Sequence, residues 1–285
     1  MRTLLQALLL LITTPLVALA ATIIIHPVTP LQGEAILVQI DAPMNTIASL
    51  TRDGVTLPYF SYGTSTGALI GIDIHAKVGT STLRTVLTTG ETIETSFAVA
   101  KRQQPIETFT VPTKLGGNSA HNQKKVVSTL AKENSQLANL ITSTTTLWSE
   151  PFIAPVANPV ITDVYGYIRD SGAATITHKG ADFHADIGTP VLAMNRGVVR
   201  LSKKFTVYGN TVIIDHGNGV MTLYMHLSKR LLKEGALVER SETIGLSGMT
   251  GYAEHPHLHL SIRIDGHSID PVEFLKLFGI TLPNK

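Results

Sequence analysis

Between Ala21 and Ala100 apolar positions recur in short runs. Examples are Ala35-Ile36-Leu37-Val38-Gln39-Ile40, Leu69-Ile70-Gly71-Ile72-Asp73-Ile74 and Ile93-Glu94-Thr95-Ser96-Phe97-Ala98-Val99. Side chains alternate across a strand, so such runs predict strands with a buried face. Arg52-Asp53-Gly54 and Thr89-Gly90-Glu91 fall between them as hairpin turns. Short strands spaced in this way predict a small β-sandwich.

The pattern then changes. Lys101 to Ser119 carries Pro105, Pro112 and Gly116-Gly117 and reads as a linker by composition. From Asn122 to Ile141 the apolar residues Val126, Val127, Leu130, Leu137, Leu140 and Ile141 follow a helical spacing. This amphipathic helix is expected to dock on the following domain or to set the angle between domains. From there the chain is again β-rich: Val191–Ala193, Val198–Leu201, Val212–Ile214 and Leu223–His226 read as strands. Asp270-Pro271 should end the last strand and open a short C-terminal helix over Val272–Phe278. The chain as a whole is expected to be mainly β. The predicted organisation is a signal segment (1–20), a β-sandwich (21–100), a linker with one helix (101–150) and a C-terminal domain (151–285).

Composition narrows the chemistry. The 285 residues include no cysteine, which excludes disulfides, thiolate metal ligands and a cysteine nucleophile. The net charge of +2 is small and no basic patch suited to nucleic acid is present. Arg2, the apolar run Leu4–Leu11 and Ala18-Leu19-Ala20 have the charge, core and cleavage pattern of a secretory signal. Export to the periplasm or cell envelope, or secretion, is therefore expected. Membrane anchoring would follow only if this segment were left uncleaved.

Histidine carries the candidate chemistry. In Pro256-His257-Leu258-His259-Leu260-Ser261-Ile262-Arg263-Ile264, a strand sends His257, His259, Ser261 and Arg263 to one face and aliphatics to the other. Far upstream, His178-Lys179-Gly180-Ala181-Asp182 can bring an imidazole and a carboxylate to one centre if Gly180 allows a turn. Two imidazoles and one carboxylate suit Zn²⁺ with a fourth position open, the pattern of a catalytic rather than a structural site. Tyr224-Met225-His226-Leu227 lies between the two motifs.

On these blocks the region from about Asn158 to Leu275 resembles the lysostaphin/LytM-type zinc metallopeptidases, a peptidoglycan endopeptidase family. Further blocks carry the resemblance: Gly188-Thr189-Pro190-Val191, Tyr208-Gly209-Asn210-Thr211-Val212, His216-Gly217-Asn218-Gly219, Ile244-Gly245-Leu246-Ser247-Gly248 and Asp270-Pro271. It implies that His178, Asp182 and His259 bind one zinc, and that His226 and His257 are the catalytic pair. The N-terminal region is similar to immunoglobulin-like domains found ahead of some members. Two departures stand out. Tyr252-Ala253-Glu254-His255-Pro256 replaces a small residue and glycine before the proline, leaving the role of His255 open. Leu260-Ser261 replaces the common Phe-Glu, and neither change is expected to touch a ligand.

The implied reaction is metal-assisted hydrolysis of peptide cross-links. The sequence lacks the HExxH motif and its glutamate base, so His257 is expected to accept the proton and His226 to stabilise the oxyanion or share the acid/base role. The two assignments are interchangeable at this stage. The expected partners are peptidoglycan stem and cross-link peptides, and the chain is expected to be a monomer that binds no nucleic acid. A contrasting expectation is a non-catalytic wall-binding module or an activator of a separate amidase. His26 and His75 are expected to have no metal role, and His184, His216 and His267 to be surface or structural residues. Tyr208 is expected either to wall the substrate groove or simply to pack.

Overall fold

The computed structural model describes residues 21–283, so the expected signal segment lies outside the described residues. The fold is mainly β. Two antiparallel four-stranded sheets form the N-terminal region. One runs Ile23–His26, Ala35–Ile40, Ser65–Gly71, Phe60–Tyr62 in spatial order, the other Val55–Thr56, Ile47–Arg52, Gly79–Leu87, Thr92–Val99. They enclose a core of Ile36, Val38, Ile40, Leu50, Leu83 and Phe97. Asp53 and Gly54 both take positive φ between adjacent strands, as a two-residue hairpin turn requires. In Gly79–Leu87 burial alternates along the strand. Ala35–Ile40 is buried almost throughout, because its second face also packs.

That second face meets the rest of the molecule. Leu37, Phe60 and Leu69 join Trp148, Phe152 and Leu260 in one continuous core. Arg102 stitches the same boundary, pairing with Asp270 at 3.1 Å and Glu34 at 3.5 Å.

The stretch expected to be a linker is docked. Ile106–Thr108 pairs in parallel with Ile168–Asp170, and Phe109 and Val111 are buried against Val126 and Val207. The helix, α1, runs Ala120–Ala138 behind a Ser119 cap. Leu140 and Ile141, expected inside it, lie beyond its end, and Ile141 is exposed.

The C-terminal region is built on an eight-stranded antiparallel sheet. Its order is Ile161–Asp163, Ala181–His184, His257–Ile264, Val220–Leu227, Asn210–Gly217, Gly197–Lys204, Leu237–Val238, with His267–Ile269 added beside His257–Ile264. Both faces of its centre are covered. Leu258, Leu260, Ile262 and Ile264 point into the shared core, while Met221, Leu223 and Met225 pack with Leu137 of α1 on the other face. A short helix, α2 (Pro271–Lys276), starts where Asp270 accepts hydrogen bonds from the Val272 and Glu273 amides. Among the described residues no helix is long and apolar enough to cross a membrane.

Candidate metal centre

Strand pairing brings the distant motifs together. Asp182 stands opposite His259, and His259 in turn opposite Met225, so three adjacent strands present their side chains at one place. His178 enters from the turn before Ala181–His184. Its Nε2 lies 3.2 Å from Asp182 Oδ1 and 3.1 Å from His259 Nδ1, and the last two atoms are 2.7 Å apart. All three residues are buried. Gly180 serves here by its size rather than by turning: its φ is not positive, and a Cβ would collide with the His259 ring and the Leu260 carbonyl.

The outer nitrogens decide which atoms face inward. His178 Nδ1 donates to the Val164 carbonyl at 2.7 Å, so the neutral ring turns the Nε2 lone pair to the centre. His259 Nε2 lies 3.1 Å from Ser261 Oγ, and that hydroxyl donates to the Lys179 carbonyl at 2.7 Å. Ser261 therefore accepts from His259 Nε2–H, and His259 Nδ1 keeps its lone pair inward. The Leu260-Ser261 departure does touch a ligand candidate, contrary to expectation. The reason is the period of two, which puts Ser261 on the His259 face. Lone pairs from two imidazoles and a carboxylate thus converge with no proton between them, an arrangement that fits a cation.

The three groups also shift one another's protonation. Burial would raise the Asp182 carboxyl, but His178 and His259 outweigh it and hold it well below the usual carboxylate range. Burial opposes charge on His178, yet Asp182 outweighs it and lifts that imidazole above its ordinary value. His259 is lowered by burial despite Asp182.

His226 and His257 border this centre with their rings 4.9 Å apart. His257 Nδ1 donates to the His255 carbonyl at 2.8 Å, and its Nε2 lies 3.7 Å from Asp182 Oδ2. The contribution of His255 is thus its backbone oxygen. His226 Nδ1 donates to the Thr250 carbonyl at 2.8 Å. Burial, then His257 and His259, push the His226 pKa well below the imidazole range. His226 reaches the cleft through a bulge. Strand Asn210–Gly217 advances two residues, Asn210 to Val212, while its partner advances three, Leu227 to Tyr224, and His226 takes φ 60°. Simple alternation would place it opposite to Met225, in the core.

A cleft of about 730 Å³ surrounds these side chains. Its walls include Thr108 and Thr110 of the docked segment, Leu130 and Asn134 of α1, and Tyr208, whose hydroxyl donates to Asn134 at 2.7 Å. Tyr252 donates to the Thr110 carbonyl across the same wall, and Arg169 lies over the Tyr167 and Tyr252 rings. His75 and His184 also line the cleft, but neither belongs to the convergent group of His178, Asp182 and His259. His216 is buried between Arg196 O and Thr222 Oγ1, and His267 pairs with Asp73. His26 lies on an N-terminal edge strand. The carbonyls of Val164, Lys179, Thr250 and His255 orient every ring in the site, and no residue type announces a carbonyl in a sequence.

Comparison with known proteins agrees with this geometry. Residues 176–271 match the family model of peptidase family M23. Peptidoglycan DD-endopeptidase ShyA of Vibrio cholerae is 42% identical over 108 residues, 38% of this chain and 25% of that protein. DD-carboxypeptidase/endopeptidase Mpg of Neisseria meningitidis is 46% identical over 95 residues, 33% of this chain and 22% of that protein. The chain thus spans about a quarter of the length of these relatives. A solved structure from Pseudomonas aeruginosa, described as a candidate M23 peptidase, aligns with a TM-score of 0.57 over 86% of this chain and 94% of that one. At 22% identity that likeness is one of fold. Strand register, the convergent donor set and the matched segment together identify residues 176–271 as a peptidase family M23 domain.

Proposed function

We propose that this chain is an exported zinc endopeptidase that hydrolyses peptide cross-links of peptidoglycan. The observation that carries the reading is the convergence of His178 Nε2, Asp182 Oδ1 and His259 Nδ1, beside two further histidines whose ring protons are directed away from the cleft. The similarity to ShyA and Mpg supports the substrate class. The signal pattern of Met1–Ala20 supports export.

Two neutral imidazoles and a carboxylate are a donor set suited to zinc. When bound, zinc supplies Lewis acidity and makes a water nucleophilic near neutral pH. The protein's own part is to orient and to move protons. His257, whose Nε2 faces Asp182, is placed to accept a proton and deliver it to the leaving amine. His226 offers a lone pair at Nε2, because its Nδ1 proton is committed to Thr250. Stabilising an oxyanion would require a proton at that Nε2, a charged ring that burial disfavours. Taking up a proton there would create the same charged ring, so neutral His226 serves as a hydrogen-bond acceptor for the reacting water while His257 carries the proton. The docked segment and α1 wall the cleft, which favours an extended peptide over a bulky folded substrate.

The test is digestion of a defined cross-linked muropeptide by the full chain, followed by mass measurement of the fragments. Cleavage should stop with chelator and return with zinc. His259→Ala should lose zinc, whereas His257→Ala should keep zinc and lose turnover. Equal zinc loss in both variants would overturn the division of roles. Absence of cleavage by the zinc-loaded chain would favour a non-catalytic wall-binding module.

A further inference from the structure

We infer that Glu133 of α1 is a positioning residue for His226, acting through the loop Phe205–Gly209. The inference rests on the catalytic role proposed above for His226. Glu133 sits on the buried side of α1 with only 4% of its surface exposed. Its carboxylate accepts hydrogen bonds from three consecutive backbone amides: Thr206 at 2.7 Å, Val207 at 3.0 and 3.2 Å, and Tyr208 at 3.1 Å. Removing a carboxylate from water is costly unless its oxygens are satisfied, and here both oxygens are used.

The gripped loop leads straight to the site. It is closed by the Phe205 amide donating to the Gly209 carbonyl at 2.8 Å. The Tyr208 carbonyl then accepts from the His226 amide at 3.0 Å, at the bulge where His226 holds its left-handed backbone. The Val207 carbonyl accepts from the Tyr252 amide at 2.7 Å, which ties the Tyr252 part of the cleft wall to the same loop. Asn134, the next residue of α1, binds the Tyr208 hydroxyl. A residue in left-handed backbone persists only where its surroundings over-determine it. Glu133 contributes that constraint from outside the M23-matched residues 176–271, so α1 belongs functionally to the site it packs against.

The experiment uses the full, zinc-loaded chain and three variants: Glu133→Ala, Glu133→Gln and Leu50→Ala. The last destabilises the distant sandwich core and controls for stability loss alone. Kinetics on a cross-linked muropeptide dimer are expected to show a kcat about 10- to 100-fold lower in Glu133→Ala with zinc affinity unchanged. Glu133→Gln, which keeps one accepting oxygen, should fall between it and the parent. Amide hydrogen exchange supplies a readout independent of turnover: the His226 amide should exchange at least about tenfold faster in Glu133→Ala. A Glu133→Ala protein with the exchange rate of the parent, or with a kcat no lower than that of Leu50→Ala, would overturn the inference. Retention of full kcat by His226→Ala would instead overturn the catalytic reading of His226, a separate failure.

Discussion

On their strands, the two β regions handle titratable residues in opposite ways. In the sandwich, a strand such as Gly79–Leu87 keeps Leu83 and Leu87 inside, and its charged Arg84 reaches outward to Glu94. In the C-terminal sheet, Val220–Leu227 and most of His257–Ile264 are buried along both faces, and polar side chains are buried with them. A buried polar group is costly unless bonded, and the buried imidazoles of the second region have partners that fix a proton or a lone pair. Sheets buried on both faces are therefore where an imidazole can be held in one tautomer. A half-wet sheet would leave that choice to solvent.

This contrast can be broken by substitution, beginning with the largest effect. His259→Ala should abolish measurable zinc binding by metal analysis of the purified protein while the fold, judged by circular dichroism, survives. Leu50→Ala should do the reverse. Denaturant unfolding should show a loss of about 3–5 kcal/mol with zinc affinity per folded molecule unchanged. Loss of zinc in Leu50→Ala would show that the two regions are not separable in this way.

Acid should expose the cost of a buried neutral histidine. Burial lowers His216 to about 4, below its value in an unfolded chain. Between pH 6.5 and about 4 the unfolded chain binds a proton that the folded chain refuses, so stability falls as pH falls. The contribution is about 3 kcal/mol, fully present above 6.5. Thermal melts across this range should be less pH-dependent in His216→Gln than in the parent; identical slopes would contradict the account. Smaller again is Ser261→Ala, which orphans the His259 Nε2–H and should weaken zinc binding about 10- to 100-fold in chelator competition. Smallest is Glu94→Ala in the sandwich, which breaks an exposed ion pair and should shift stability by no more than about 0.5 kcal/mol.

Much of this was readable in the chain before any coordinates. Strand Ala35–Ile40 appears at the expected residues, and Asp270-Pro271 opens a helix as capping chemistry predicts. His257-Leu258-His259 divides its histidines and leucine between two faces because a strand has a period of two. Contacts made through the backbone were not legible. Nothing in Val164, Thr250 or His255 as residue types marks their carbonyls as ring anchors. Composition marked Lys101–Ser119 as a linker but not its docking, because Phe109 and Val111 find a core supplied by residues far along the chain. Glu133 was hidden in a different way. Its spacing from Val126, Leu130 and Leu137 puts it on the apolar stripe of α1, but only the fold reveals the three amides that bind it.

The bulge at His226 has a consequence for how this chain can vary. A strand that keeps strict alternation assigns each residue to a face by whether its position is odd or even. One additional residue between Tyr224 and Leu227 reverses that parity, so Met225 and His226 leave the ladder on the same side. Deleting Met225 would give a more regular ladder and keep the histidine on the face opposite Tyr224, but it would remove the bulge and the positive φ that aim its ring into the cleft. Insertions and deletions in this short stretch are thus far more damaging than substitutions. The cleft's second histidine depends on a count of residues as much as on their identity.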